Sequence, residues 1–212
     1  MNATIQSRAI RCVQALLLCL IVGGCCVPEP PPRVRRPDPK RIRYGRVAII
    51  EFLDKSGYPD AARQLGQSLR DKLTERSKDA DVFFLPRSAF PSLGDPFSGG
   101  TIPVEVLVKA RRDYRADALV LGSLDAHDPY PPPSAHVSLK VVDTATAAVP
   151  HERSSGWNGR EEAVRDAVDR YYRTYVGSDD CRLGPNVFLV SPSYFLKFVA
   201  ATLADGIAAA LE

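Results

Sequence analysis

The chain has 212 residues, 45% of them hydrophobic and 25% charged, with a formal net charge of +3, which is the size and apolar content of one domain with one core and not of two. The charge is unevenly spread: Arg8 and Arg11 lie in the leader and the segment Val27 to Arg46 carries +5, so that +2 and +5 out of a total of +3 leave −4 on the rest. A mildly acidic body excludes nucleic acid as a partner of the domain, whereas the basic stretch either meets an anionic lipid surface or serves to keep a linker solvated.

In chain order, the first feature is the leader. Arg8 and Arg11 precede an apolar run, Val13 to Gly24, that closes on Val22-Gly23-Gly24-Cys25. About a dozen residues at ~1.5 Å each fall short of a ~30 Å hydrocarbon core, so the run reads as a secretory h-region and not as a spanning helix. An apolar residue, two small residues and a cysteine resemble the bacterial lipobox. That resemblance implies cleavage of a signal peptide (residues 1–24) and acylation of Cys25, with Cys26, preceded at −3 by Gly23, the weaker acceptor. Several acyl chains on one residue anchor a protein stably. Cys12 and Cys19 leave with the leader, which leaves Cys26 and Cys181 either as a bridge or, by default, as separate thiols.

Residues 25–45 form a tether. Pro28, Pro30, Pro31, Pro32, Pro37 and Pro39 alternate with arginines, a composition that favours an extended polyproline spacer. From residue 46 to 212 the chain reads as the domain. Val47 to Leu53 is a continuous apolar strand ended by Asp54-Lys55-Ser56-Gly57, where Asp54 and Ser56 shape the entry to a helix. Ala61, Leu65, Leu69 and Leu73 then recur at helical spacing to about Arg76. Val82 to Leu85 is a second strand, Phe90 to Pro103 an aperiodic surface loop with Phe97 at its tip, and Val104 to Tyr114 a helix with Val104, Leu107, Val108 and Arg111 on one side. Ala118 to Leu124 is the third strand.

Strand, helix, strand, helix, strand demands parallel pairing through crossovers. The style then changes. His136 to Val142 alternates, Asp143 to Ala147 turns, and Ala148 to about Ser155 returns as the second arm of an antiparallel hairpin, in which position 136 should face 155. Glu161 to Val176 reads as a helix, and Ser191-Pro192 starts a last helix with Phe195, Phe198, Val199, Thr202, Leu203, Ile207 and Leu211 as its stripe. Lys197 and Asp205 interrupt that stripe, which favours packing on the body over insertion in lipid. The expected fold class is α/β: a single mixed-sheet sandwich in the order β-α-β-α-β-β-β-α plus a C-terminal helix.

Four segments, Val47 to Gly57, Leu65 to Leu73, Ala116 to Leu124 and Val137 to Thr146, together resemble the TolB N-terminal-like family. Relatives in that family include curli-secretion channel lipoproteins and a lipoprotein activator of a penicillin-binding protein. The resemblance covers Val47 to Trp157 and implies a mixed α/β domain that binds other envelope proteins without chemistry of its own. It also implies an outer-membrane position facing the periplasm. The sequence departs from the family in two ways. Ala147 stands where the hairpin turn commonly has glycine, and the long alternating hairpins of a secretion channel have no counterpart.

Chemistry finds little purchase in these residues. Asp54-Lys55-Ser56-Gly57 lacks the glycine spacing of a phosphate loop, and Ser154-Ser155-Gly156 is not a nucleophile elbow. His127, His136 and His151 have no metal-ligand spacing. No catalytic residue, metal or cofactor is expected, and the chain reads as a non-enzyme. The candidate partner-binding residues are Phe97, Trp157, Tyr171, Tyr172 and Tyr175, with core packing the competing role for the last four. The function expected is that of a lipid-anchored envelope lipoprotein acting as a non-catalytic protein-binding or assembly module. The alternative is a self-assembling structural subunit of a secretion or export complex. The expected partners are the membrane, through the anchor, and other envelope proteins.

Overall fold

The computed structural model describes residues 44–77, 79–99, 101–176 and 184–211, all within the unit Arg41–Glu212. The leader, Cys25, Cys26, nearly all of the tether and Cys181 lie outside the described residues. The elements are β1 (Arg46–Ile50), β2 (Leu53–Asp54), α1 (Pro59–Arg76), β3 (Asp81–Leu85), α2 (Val104–Tyr114), β4 (Ala118–Asp128), β5 (Ser134–Asp143), β6 (His151–Asn158), α3 (Glu162–Tyr171), α4 (Val187–Val190) and α5 (Pro192–Leu211). The sheet runs β3-β1-β4-β5-β6, with β2 also paired to β4. β1 is parallel to β3 and β4, while β4-β5 and β5-β6 are antiparallel. This is the mixed α/β sheet expected.

The apolar run at the start is split. After Ile50 the backbone leaves the ladder for Glu51 and Phe52 and rejoins it at Leu53, opposite Ser123 of β4. The break lets Phe52 fold its ring over Gly122 of β4, where a Cβ would fall inside contact distance of three ring atoms. Pleating sends alternate residues of β1 into different cores. Val47 and Ile49 join Leu65, Leu69 and Leu73 of α1 on one face; Ala48 and Ile50 join Val106, Leu107 and Ala110 of α2 on the other. The first face is completed by α3, α4 and α5. The predicted α5 stripe is core throughout apart from the half-buried Thr202. Among the described residues no helix is long and apolar enough to cross a membrane.

Three sequence expectations are corrected by packing. α2 buries Val106, Leu107 and Ala110, so Val104 and Val108 face solvent instead of the sheet, because the small Ala110 sits on the side that approaches the strands. The last strand begins at His151 and not Ala148, and position 136 pairs with 156, one residue beyond 155. The reason is the wider turn that Asp143 builds: its Oδ1 accepts from the N–H of Ala145 (2.8 Å) and Thr146 (2.7 Å) and from Thr146 Oγ1 (2.9 Å). The helix from residue 161 is regular only to Tyr171 and closes as a π-turn over Tyr172–Val176. Asp143 also receives the phenol of Tyr44, and burial together with this carboxylate pushes that phenol up to about 12.

Ala147 takes a positive φ of 58° in the turn, the left-handed geometry for which glycine suits. Ala147→Gly is therefore expected to raise unfolding stability by about 0.5–1 kcal/mol. Gly122→Ala, which drives a methyl into Phe52, is expected to lower it by about 1–3 kcal/mol. Urea unfolding of the two variants against the parent checks both signs.

Candidate functional site

Beyond the C-terminal ends of β2 and β4 the chain makes a turn that prepares a cleft. Asp54 Oδ1 accepts from the backbone N–H (2.9 Å) and hydroxyl (2.7 Å) of Ser56, as the sequence suggested, and Gly57 follows at φ 83°. Tyr58 is then the residue before α1, with Pro59 in its first turn, where a missing N–H costs nothing. Across from it the end of β4 brings His127, whose Nδ1 donates to the carbonyl of Ser134 (2.9 Å), the one arrangement a carbonyl permits. The Tyr58 and His127 rings meet edge to face, 5.4 Å apart at 83°.

These groups, with Ala61 and Gln64 of α1, Pro129, and Pro192 and Leu196 of α5, line a cleft of about 290 Å³. Its surroundings are rich in exposed tyrosine. Tyr58 is 40% exposed and Tyr130, next to Pro129, is 74% exposed. Tyrosines of this kind combine large apolar area with a polar tip at low entropic cost and are enriched where proteins meet. Asp60 and Asp128 add exposed carboxylates beside the cleft. The arrangement offers a contact surface.

The predicted binding residues are placed differently from one another. Trp157 and Tyr171 are core side chains, with 7% and 9% of their surface exposed. Tyr171 packs edge to face on Phe188 and Phe198, with centroids 5.5 and 5.8 Å away, and burial raises its phenol above the ordinary tyrosine range. Neither ring is available to a partner, because β6 and α3 turn them toward the core made by α4 and α5. Tyr172 is half-buried, whereas Tyr175 is 54% exposed under the guanidinium of Arg76, 5.0 Å from its centroid.

Phe97, read from the sequence as the tip of a surface loop, is half-buried. Residues 86–99 form a strap pinned to the sheet by Phe90 and Leu93, which are buried, and by Lys55, whose Nζ lies 2.7 Å from Asp95 and 3.5 Å from Asp125. Phe97 is turned inward between two ammonium groups, with Lys140 4.9 Å and Lys55 5.8 Å from its ring centroid. Asp125 also accepts from Ser123 Oγ (2.7 Å) and Ser138 Oγ (2.6 Å). Burial acts to raise the carboxyls of Asp95 and Asp125, but their hydrogen bonds and the Lys55 charge outweigh it and hold both below the usual aspartate range. The hydrogen bond to Asp95 holds Lys55 above its ordinary value.

The tyrosine cleft was not foreseen. Its residues come from three separated segments, and only the helix-start turn at Asp54 to Gly57 marked the place in advance. No protein-family model and no curated protein sequence matches the chain. Among solved structures it is similar to the PelC dodecamer from Paraburkholderia phytofirmans, at 15% identity and a TM-score of 0.47 over 80% of this chain and 89% of that one. It is also similar to the lipoprotein GNA1162 from Neisseria meningitidis, at 13% identity and a TM-score of 0.38 over 53% of this chain and 81% of that one. The LpoB C-terminal domain from Salmonella enterica is similar at 11% identity and a TM-score of 0.37, over 55% and 85% respectively. All three likenesses are loose, and the strand order and pairing described above rest on this chain's own backbone.

The strap makes a prediction of its own. In Lys55→Ala, amides of residues 93–99 should lose protection from hydrogen exchange by about threefold to fivefold, the range of a partly exposed ion pair, while α1 and α5 stay unchanged. Because the folded-state pKa values of Asp95 and Asp125 are depressed, their contribution is full above the ordinary carboxylate range and disappears as pH falls through it and below. Equal protection in parent and variant would show that the apolar plugs alone hold the strap.

Proposed function

We propose that this chain is a lipid-anchored protein of the bacterial cell envelope that presents its α/β domain as a non-catalytic binding module for another envelope protein. The observation that carries the reading is the cleft between Tyr58, His127, Pro129 and Pro192, with the exposed Tyr130 following Pro129. The sequence ending at Cys25 supports the anchor, with residues 1–24 as the removed signal, 25–45 as the tether and 46–212 as the domain. On this reading the acylated protein resides in the outer membrane and faces the periplasm. Tyr58 and Tyr130 anchor the partner, and Tyr175 lies outside the contact.

A second reading, a structural subunit built from copies of this chain, is favoured by one feature. β6 closes the sheet order, is paired among the described residues only through β5 and leaves half of its eight residues, Glu152, Arg153, Ser154 and Gly156, exposed. An open edge of that length is a template for another strand.

Photo-crosslinking in intact envelopes separates the two. A benzophenone amino acid in place of Tyr58 or Tyr130 should capture a foreign envelope protein, whereas the same group at Arg153 of β6 should not. Tyr58→Ala should weaken the complex by about 1–2 kcal/mol without altering the circular dichroism spectrum. Capture of this chain alone, from position 153, would favour the structural subunit; no capture from 58 or 130 would remove the binding-module reading. In the same envelopes Cys25→Ala should abolish incorporation of labelled palmitate.

A further inference from the structure

Helix α2 covers the second face of the sheet with Val106, Leu107 and Ala110 and turns its opposite side outward. On that outer side Val104 and Val108, one turn apart, are 69% and 52% exposed. Arg111, Arg112 and Arg115 continue the stripe toward the helix end, all exposed. Arg112 shares Asp113 with Lys109, whereas Arg111 and Arg115 have no ion pair among the described residues. A helix face that only had to be solvated would place polar residues at 104 and 108. Two valines running into three guanidinium groups is the pattern of a surface that rests on an anionic, partly apolar boundary.

The basic end of this stripe stands where the chain enters the domain. Arg46 and Asp117 hold each other by two hydrogen bonds, Arg46 N–H to Asp117 Oδ2 at 2.9 Å and Asp117 N–H to Arg46 O at 2.8 Å. Arg115 is thus two residues from the partner of β1's first residue. The connection after β5 joins the same end, where Thr144 Oγ1 donates to the carbonyl of Ala116 (2.7 Å) and Val149 is 44% exposed. The segment Val27 to Arg46, which leads in sequence into β1, carries +5.

We propose that Val104, Val108, Arg111, Arg112 and Arg115 form a face that docks on the anionic phospholipid surface of the bilayer, with α2 lying along it and the two valines at headgroup depth. The choice of lipid over an acidic protein rests on the anchor reading, since an acylated Cys25 tethers the domain to a membrane through the segment that leads into β1. The guanidinium groups supply attraction screened by salt, and the valines supply a small apolar contact that salt does not screen.

The test uses the full-length purified chain with vesicles of phosphatidylcholine alone or mixed with phosphatidylglycerol. A bilayer-sensitive fluorophore is attached at Val108→Cys, with Tyr130→Cys as the control position and the labelled parent as background. Flotation on phosphatidylcholine reports the acyl anchor. The docking face predicts a blue shift at position 108 on phosphatidylglycerol vesicles only, none at 130, and loss of the shift in molar salt and in Arg111→Glu/Arg115→Glu. Equal emission at 108 on both vesicle types, or an equal shift at 130, overturns it. A shift produced by polyglutamate without vesicles would assign the face to an acidic protein and also overturns it. A chain that fails to float on phosphatidylcholine contradicts the anchor, while the phosphatidylglycerol response at 108 still decides the docking face.

Discussion

Strand β4 is the constraint on which the domain depends. It is parallel to β1 and β2 along one edge and antiparallel to β5 along the other, and its first seven residues are buried on both sides. A strand so enclosed has to be covered by helices above and below. α1 and α5 supply one cover; α2 with the strap supplies the other. Gly122 sits at the middle of this strand because the Phe52 ring occupies the space that any side chain would take. The same ring explains why the first apolar run leaves the ladder for two residues. Glu51, freed by that break, accepts from Arg63 of α1 at 2.8 Å and from the Arg87 N–H at the start of the strap, 3.2 Å away.

Past β4 the logic changes. The antiparallel arms β5 and β6 need cover on one face only, so their second face is polar, with Ser138, Lys140, Glu152 and Ser154 in adjacent positions. The strap reaches this polar region and stops there, held by Lys55 against Asp95 and Asp125. Among the described residues the tyrosine cleft, the β6 edge and the outer side of α2 are the surfaces proposed for partners. They lie on different elements, so a membrane contact through α2 and a protein contact through the cleft do not compete for residues.

Much of this fold was legible in the sequence because its main signals are local. The α1 and α5 stripes, the central apolar strands and the alternating β5 all declare their period, and the αL demand at Ala147 came with the family resemblance, in which glycine is common at that turn position. What failed depended on tertiary choice. α2 has two apolar stripes, 104-107-108 and 106-107-110, and only packing against the sheet decides which is buried. Phe97 lies in a stretch without period, and its inward turn depends on Lys55 and Lys140 from distant strands. Trp157 and Tyr171 look like interface aromatics in sequence, yet α4 and α5, lying outside the family resemblance, close over them. The cleft itself joins residues 57–64, 127–129 and 192–196, a convergence that no linear pattern announces.

The central claim is that this domain works by holding a different envelope protein. The direct measurement is the native mass and composition of the protein extracted from membranes in mild detergent after brief cross-linking. The account predicts a discrete complex that contains this chain and a foreign protein in fixed ratio. A species made of this chain alone, whether monomer or ring, would contradict it.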